Sequence, residues 1–201
     1  ESGIKKIKIT GGEPLLREDI VEIVKIIKKN NFEDISLVTN GILLEKYAED
    51  LKKSGLNRVN IGCDSLNLPF LKNKNGIING LRAAKQAGLH PIKINMVVLN
   101  GINDNEVEKM IEFAKENNVI LQLIELINMN NEFYNKHYFS LEKIEKELEK
   151  KASLVIKKKM HNRKQYDLGD VKVEVVRPFH NQFCKHCSRL RITSDGKIKP
   201  C

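Results

Sequence analysis

The sequence predicts an α/β fold: an incomplete parallel (β/α) barrel, then a C-terminal hairpin and a cysteine-bearing segment. Three observations carry this. Short β-rich runs alternate with amphipathic helical patterns to about residue 150, and the runs start 31, 23, 34 and 27 residues apart. That spacing matches a βα unit rather than a solenoid of fixed period. After Leu154 the alternation stops.

Strands are expected at Ile4–Ile9, Ile35–Val38, Arg58–Ile61, Ile92–Val98 and Val119–Leu126. Ile20, Ile23, Val24 and Ile27 recur at helical spacing, as do Val107, Met110, Ile111 and Ala114. Asn103 with Glu106 resembles a capping box opening the second of these helices. Gly55 and Gly88 fall where helices should end. Leu141, Ile144 and Leu148 mark a last helix entered at Ser140. Strands separated by helices pair in parallel through right-handed crossovers. Five such units are too few to close a barrel of the eight-strand kind, so a partial barrel is expected. Leu154–Ile156 and Val171–Val176 read as a hairpin across one barrel end, around a basic connection with His161, Arg163 and Lys164. Residues 1–150 are thus the expected barrel core, and 151–201 a substrate- and cluster-binding region.

Composition narrows the function. Hydrophobic residues at 41% and charged residues at 30% exclude disorder as the default, and no run approaches the roughly 20 apolar residues of a spanning helix. No signal segment opens the chain, which reads as cytoplasmic. Glu1 and Cys201 at the two ends suggest a piece of a longer protein. The net charge of +9 favours anionic partners, while aromatics at 5% and no Trp argue against a base-stacking platform for nucleic acid. The run Lys157–Lys159 reads as a solvated edge.

Cys63 stands alone in an apolar run and reads as core. Cys184, Cys187 and Cys201, spaced C-x2-C-x13-C, argue for a metal site over disulfides. Structural zinc takes four protein ligands, whereas a 4Fe–4S cluster on three cysteines keeps one iron open. A zinc knuckle completed by His180, His186 or a further residue is the alternative. Arg189 and Arg191 follow directly, as planar forks suited to phosphate or purine oxygens.

In a parallel sheet the loops after the strands build the site. Loop one, Thr10–Arg17, carries Gly11 and Gly12 for close backbone approach and Glu13 as a charge for a ligand ammonium. Loop two is Thr39-Asn40-Gly41, read by itself as an ordinary turn. Loop three is Gly62-Cys63-Asp64-Ser65, where Asp64 accepts from ligand hydroxyls or caps the next helix. Lys93 and Asn95 alternate with apolar residues on the fourth strand, which points them into the barrel, Lys93 toward an anionic substrate. Gln122 and Glu125 remain ambiguous.

Together IKITGGEPLLR, VTNG, VNIGCDSL, IKINMVVLNGIND and CKHCSRLRITSDGKIKPC resemble, in order and over essentially the whole chain, the GTP 3′,8-cyclase family of radical S-adenosylmethionine enzymes. The resemblance implies a radical SAM partial barrel and a lyase of molybdenum cofactor (molybdopterin) biosynthesis. Its product is (8S)-3′,8-cyclo-7,8-dihydroguanosine 5′-triphosphate. It further implies two 4Fe–4S clusters in the full-length protein. The first sits in a C-x3-C-x2-C loop that this sequence does not contain, so the piece by itself is not expected to cleave S-adenosylmethionine. The second falls to Cys184, Cys187 and Cys201, its open iron taking guanine. By the same resemblance Gly12, Glu13, Gly62 and Ile127 lie at S-adenosylmethionine, and Lys8, Val38, Lys93, Arg189 and Arg191 at GTP. Relatives tend to have Ser and Met at 62 and 127, Arg at 8 and Thr at 38. Lys8 keeps the charge but loses the fork, and Val38 loses a hydrogen bond.

The implied chemistry is reductive cleavage of S-adenosylmethionine to a radical that takes the ribose 3′ hydrogen, after which the carbon radical attacks guanine C8. An electron donor and a downstream pterin synthase are expected partners, and a homodimer is left open. Two other readings stand beside it: another radical SAM enzyme with an auxiliary cluster, for example a peptide-modifying one, and a zinc and nucleic-acid module.

Overall fold

The structure, a computed structural model, describes residues 3–67, 74–128, 131–158, 163–178 and 189–199. Five parallel strands follow in chain order: β1 (Lys6–Ile9), β2 (Asp34–Thr39), β3 (Arg58–Gly62), β4 (Ile92–Val98) and β5 (Ile120–Glu125). Helices α1 (Ile20–Lys29), α2 (Leu44–Lys53), α3 (Lys74–Gln86) and α4 (Val107–Glu116) connect them, and α5 (Asn131–His137) and α6 (Glu142–Lys151) follow β5. Left-handed residues end four of these helices: Gly55 and Gly88 as expected, and Asn31 and Asn118 in the same role. After α2 and α3 the backbone closes with bonds from Leu56 N to Leu51 O (2.9 Å) and from Leu89 N to Ala84 O (3.0 Å).

The sequence of β4 explains the layering. Ile92, Ile94, Met96 and Val98 are buried, while Lys93, Asn95 and Val97 are half-buried. A parallel strand covered on both faces reads as a continuous apolar run, so strict alternation means that helices cover one face only. The covered face joins Ile35, Leu37, Val59, Ile61, Ile94, Leu121, Leu123, Val173 and Val175 to Val24, Leu51, Leu81 and Met110 in one core. Burying each such side chain contributes about 1.5–3 kcal/mol. Cys63 belongs to this core, as expected.

The C-terminal strands correct an expectation. β6 (Leu154–Lys157), β7 (Lys164–Asp167) and β8 (Lys172–Val176) do not lie across a barrel end but extend the sheet, in the order β1-β2-β3-β4-β5-β8-β7-β6. β8 runs parallel to β5, and β7 separates the two strands expected to form a hairpin, pairing antiparallel with both. Its sequence, KQYD, lacks the β-branched run that marks the others. Pairing β8 on β5 satisfies a buried edge and leaves β6 as the outer strand, where Lys157 guards it. Lys159 and His161 lie outside the described residues.

The sheet stays open, its described ends being β1 and β6. Beyond it a short ribbon pairs β9 (Arg191–Ile192) with β10 (Ile198–Lys199) around Gly196, at φ 80°. Among the described residues no helix is long and apolar enough to cross a membrane.

Candidate active site

The uncovered sheet face is polar. The register puts Lys8 beside Ser36, Ser36 beside Arg58, Asn60 beside Lys93, Asn95 beside Gln122, and Gln122 beside Glu174, which in turn faces Gln165. A period of two keeps these side chains on one side. The centre is Glu174, 1% exposed, whose carboxylate accepts from Lys93 Nζ at 2.6 Å on both oxygens. It also accepts from Gln122 Nε2 at 2.7 Å and Gln165 Nε2 at 2.9 Å, with Arg163 Nη1 farther off at 3.4 Å.

Charge on this face is unbalanced. Burial first, with Arg163 and Arg58, holds Lys93 below its ordinary value against the pull of Glu174. Burial pushes the Glu174 carboxyl the other way, but Lys93, Arg163 and Gln122 outweigh it and leave the pKa lowered. Lys8 is pushed down to about 8, first by the protein around it, then by Arg189, Arg58, Arg163 and Lys93. Its side chain is nonetheless exposed to solvent. Asp34 neutralises Arg58 through two bonds of 2.9 and 2.8 Å. Asn60 is buried, and its Oδ1 has no hydrogen-bond partner among the described residues.

Three loops rim the strand ends. Glu13 accepts from Leu15 N (3.0 Å), Thr39 Oγ1 (2.7 Å) and Asn40 N (2.7 Å), which ties loop one to loop two. Three of the about four acceptor positions of the carboxylate are therefore engaged within the protein. A Cβ built on Gly11 or Gly12 meets no atom within 4 Å, and on Gly62 only Thr39 O at 3.8 Å. The backbone at these glycines is thus open to a ligand. Gly41, at φ 81°, presents its carbonyl to Gly80 on α3, where a Cβ would stand 2.1 Å from it.

Loop three is pinned to the sheet and to the start of α4, and it corrects the capping box expected at Asn103 and Glu106. Asp64 does not cap a helix in the described residues: its Oδ1 accepts from Val97 N at 2.8 Å and pins the loop to β4. Burial raises its pKa. Asn103 and Glu106 form no capping box, since neither side chain caps α4. Instead Glu106, 3% exposed, accepts from Ser65 Oγ (2.8 Å) and Leu66 N (2.9 Å). Asn103 Nδ2 donates to Asp64 O (2.6 Å) and Val97 O (2.9 Å). Capping and bracing share the same donor and acceptor types, and the buried loop was the better partner.

Of the expected site residues, Lys8, Lys93 and Arg189 come together electrostatically. Val38 lies on β2 on the same face, level with Asn60. Ile127 is exposed just after β5, and Arg191 is exposed on β9. Cys184, Cys187, Cys201, His180 and His186 lie outside the described residues. Glu125 proves to face the helix side, where it accepts from Arg177 Nε (2.9 Å) and Leu141 N (3.0 Å). Arg58, Arg163 and Glu174 were missed, although Glu174 sits in KVEVV with the alternation that singled out Lys93.

A parallel sheet covered by helices on one face, with backbone-open glycine loops at its strand ends and cations on the other face, is an arrangement in which radical S-adenosylmethionine proteins can hold their ligands, and the family comparison assigns the chain to that class. The Radical SAM superfamily model matches residues 1–114, and the Molybdenum Cofactor Synthesis C model matches residues 119–201. Archaeal TYW1 shares the fold, at TM-score 0.55 and 24% identity over 76% of this chain and 52% of that one. A probable GTP 3′,8-cyclase of Archaeoglobus fulgidus is 45% identical over 100% of this chain and 71% of its own length. Those of Methanosarcina acetivorans (46%) and Methanocaldococcus jannaschii (45%) match 99% of the chain, which spans 62% and 69% of them. The chain belongs to the GTP 3′,8-cyclase family.

Proposed function

We propose that this chain supplies the substrate-holding face of a GTP 3′,8-cyclase, a lyase of molybdenum cofactor biosynthesis, and that the polar sheet face receives GTP. The observation that carries the reading is that Lys8, Arg58, Lys93 and Arg163 share one face of the sheet, which the open glycine loops follow at the strand ends. On this reading Lys8, Lys93, Arg189 and Arg191 bind GTP, with Val38 beside them. Gly12, Glu13, Gly62 and Ile127 receive S-adenosylmethionine. The open backbone at Gly12 and Gly62 fits that group, since a ligand reaches amide and carbonyl without meeting a side chain. Three thiolates, Cys184, Cys187 and Cys201, suit a 4Fe–4S cluster with one iron left for the purine. Residues 1–150 then serve as the radical SAM core, and 151–201 as the substrate and second-cluster region.

When bound, reduced S-adenosylmethionine chemistry supplies the species that takes a hydrogen atom from the ribose. The part played by this chain is positional. Lys8 and Lys93 neutralise and orient the phosphates, and Glu174 and Gln122 hold Lys93 in place. The braced loops fix one ligand against the other, where small misplacements are costly to rate. The reading calls for an electron donor, a pterin synthase acting on the product, and a cytoplasmic setting.

The test uses the full-length protein reconstituted without oxygen. Micromolar GTP binding by calorimetry, lost in Arg189→Ala, is expected, with iron and acid-labile sulfide present. Cys187→Ser should lose the second cluster's iron and retain S-adenosylmethionine cleavage. Stoichiometric zinc without sulfide, or GTP affinity untouched by either substitution, overturns the proposal.

A further inference from the structure

We propose that Arg163 is a further substrate contact on this face, a fork for the phosphate oxygens of the nucleotide. The proposal rests on the reading of the face as a GTP site and adds a residue that none of the sequence motifs contains. Arg163 enters from the start of β7, opposite the β1 side where Lys8 stands. Its Nε is buried and has no hydrogen-bond partner among the described residues. Its single ion pair there is the 3.4 Å approach of Nη1 to Glu174.

Glu174 is not the natural partner. A carboxylate offers about four acceptor positions, and four shorter contacts fill them: two from Lys93 at 2.6 Å, Gln122 at 2.7 Å and Gln165 at 2.9 Å. Arg163 is left with the longest contact, at a distance where a hydrogen bond is weak. A largely buried guanidinium with five donors and one long acceptor contact is an expensive arrangement unless something else accepts.

The surrounding charge says what the acceptor is. Arg58, Lys93 and Arg163 all act on Lys8 through space, and among the described residues Asp34 pairs with Arg58 while Glu174 pairs with Lys93 and Arg163. A neutral ligand would leave the repulsion in place. A polyphosphate removes it, and the guanidinium plane matches two phosphate oxygens at once.

The experiment compares GTP with guanosine by calorimetry on the full-length reconstituted protein, in wild type, Arg163→Gln and Arg163→Lys. Arg163→Gln should weaken GTP about tenfold or more, leave guanosine within about twofold, and leave S-adenosylmethionine affinity unchanged. Arg163→Lys should fall between, as a charge without the fork. If Arg163→Gln does not fold, the lysine variant carries the test, with the same selective loss of GTP expected. Unchanged GTP affinity, or equal loss for GTP and guanosine, overturns the proposal and makes Arg163 a structural partner of Glu174. A wild-type protein that binds no GTP overturns the cyclase reading itself.

Discussion

Lys93 Nζ lies 2.6 Å from both carboxylate oxygens of Glu174, although their strands are not neighbours: β5 runs between β4 and β8. The pair spans a strand because Gln122 of β5, hydrogen-bonded to the same carboxylate, completes the bridge. It joins residues from the two parts of the chain matched by separate family models. The contact therefore makes the position of a proposed phosphate ligand depend on a C-terminal strand.

Removing one member should be worse than removing both. Glu174→Ala leaves Lys93 and Arg163, 12% and 17% exposed, without the carboxylate they share, and is expected to cost about 3–5 kcal/mol in urea unfolding. The double variant Lys93→Met, Glu174→Gln, which keeps an acceptor for Arg163 and the two glutamines, should recover a large part of that while abolishing GTP binding. Equal destabilisation of single and double variants would mean that the pair does not carry the cost.

Gly80 offers a test of sign. In an exposed helix Gly→Ala stabilises by about 1 kcal/mol. Here the new methyl would meet the Gly41 carbonyl at 2.1 Å and Leu44 Cβ at 3.1 Å. Overpacking of this kind costs about 1–3 kcal/mol, so Gly80→Ala should lower the urea midpoint and displace loop two. A raised midpoint would show that α3 yields without cost.

Glu106 braces loop three through Ser65 Oγ and Leu66 N. Glu106→Ala leaves the Leu66 amide and the Ser65 hydroxyl without their acceptor, at a cost of about 1–3 kcal/mol. Because Gly62 stands in that loop, S-adenosylmethionine affinity should fall more than GTP affinity, by equilibrium dialysis of each. Equal losses would place the effect in global stability instead.

These residues divide by how legible they were. The parallel strands were visible because β-branched runs and helical periods differ in repeat, and Lys93 because a cation breaks an apolar strand. Glu174 gave the same signal in KVEVV, but its strand had been placed across a barrel end, where alternation says nothing about the site. β7 was hidden by a polar tetrapeptide that becomes a strand only through pairing on both sides. Gly80 was silent because a mid-helix glycine shows its reason only when the Gly41 carbonyl is seen against it. Asn103 and Glu106 were legible as polar partners but assigned to the wrong acceptor and donors, since local spacing cannot reveal a loop brought in from forty residues away.

Lys8 should make GTP binding weaken at alkaline pH. Its pKa in the folded protein is about 8 against an ordinary 10.5. Below pH 8 the lysine is charged in both folded and unfolded chains, so the folded state carries the full repulsion. Between 8 and 10.5 the unfolded chain binds more protons, and stability from this group rises with pH. Anion binding runs the other way. A phosphate beside Lys8 favours the ammonium and raises its pKa, so above pH 8 binding takes up a proton and GTP affinity falls, by up to about tenfold per pH unit. Calorimetry from pH 7 to about 9.5 in buffers of different ionisation enthalpy measures both affinity and proton uptake. Lys8→Arg stays charged throughout this range; titration of the nucleotide is common to both proteins and cancels in the ratio of their affinities. That ratio should move in favour of the arginine variant as pH passes 8. A ratio constant across the range would remove Lys8 from the substrate site and leave its depressed pKa a matter of crowding among cations alone.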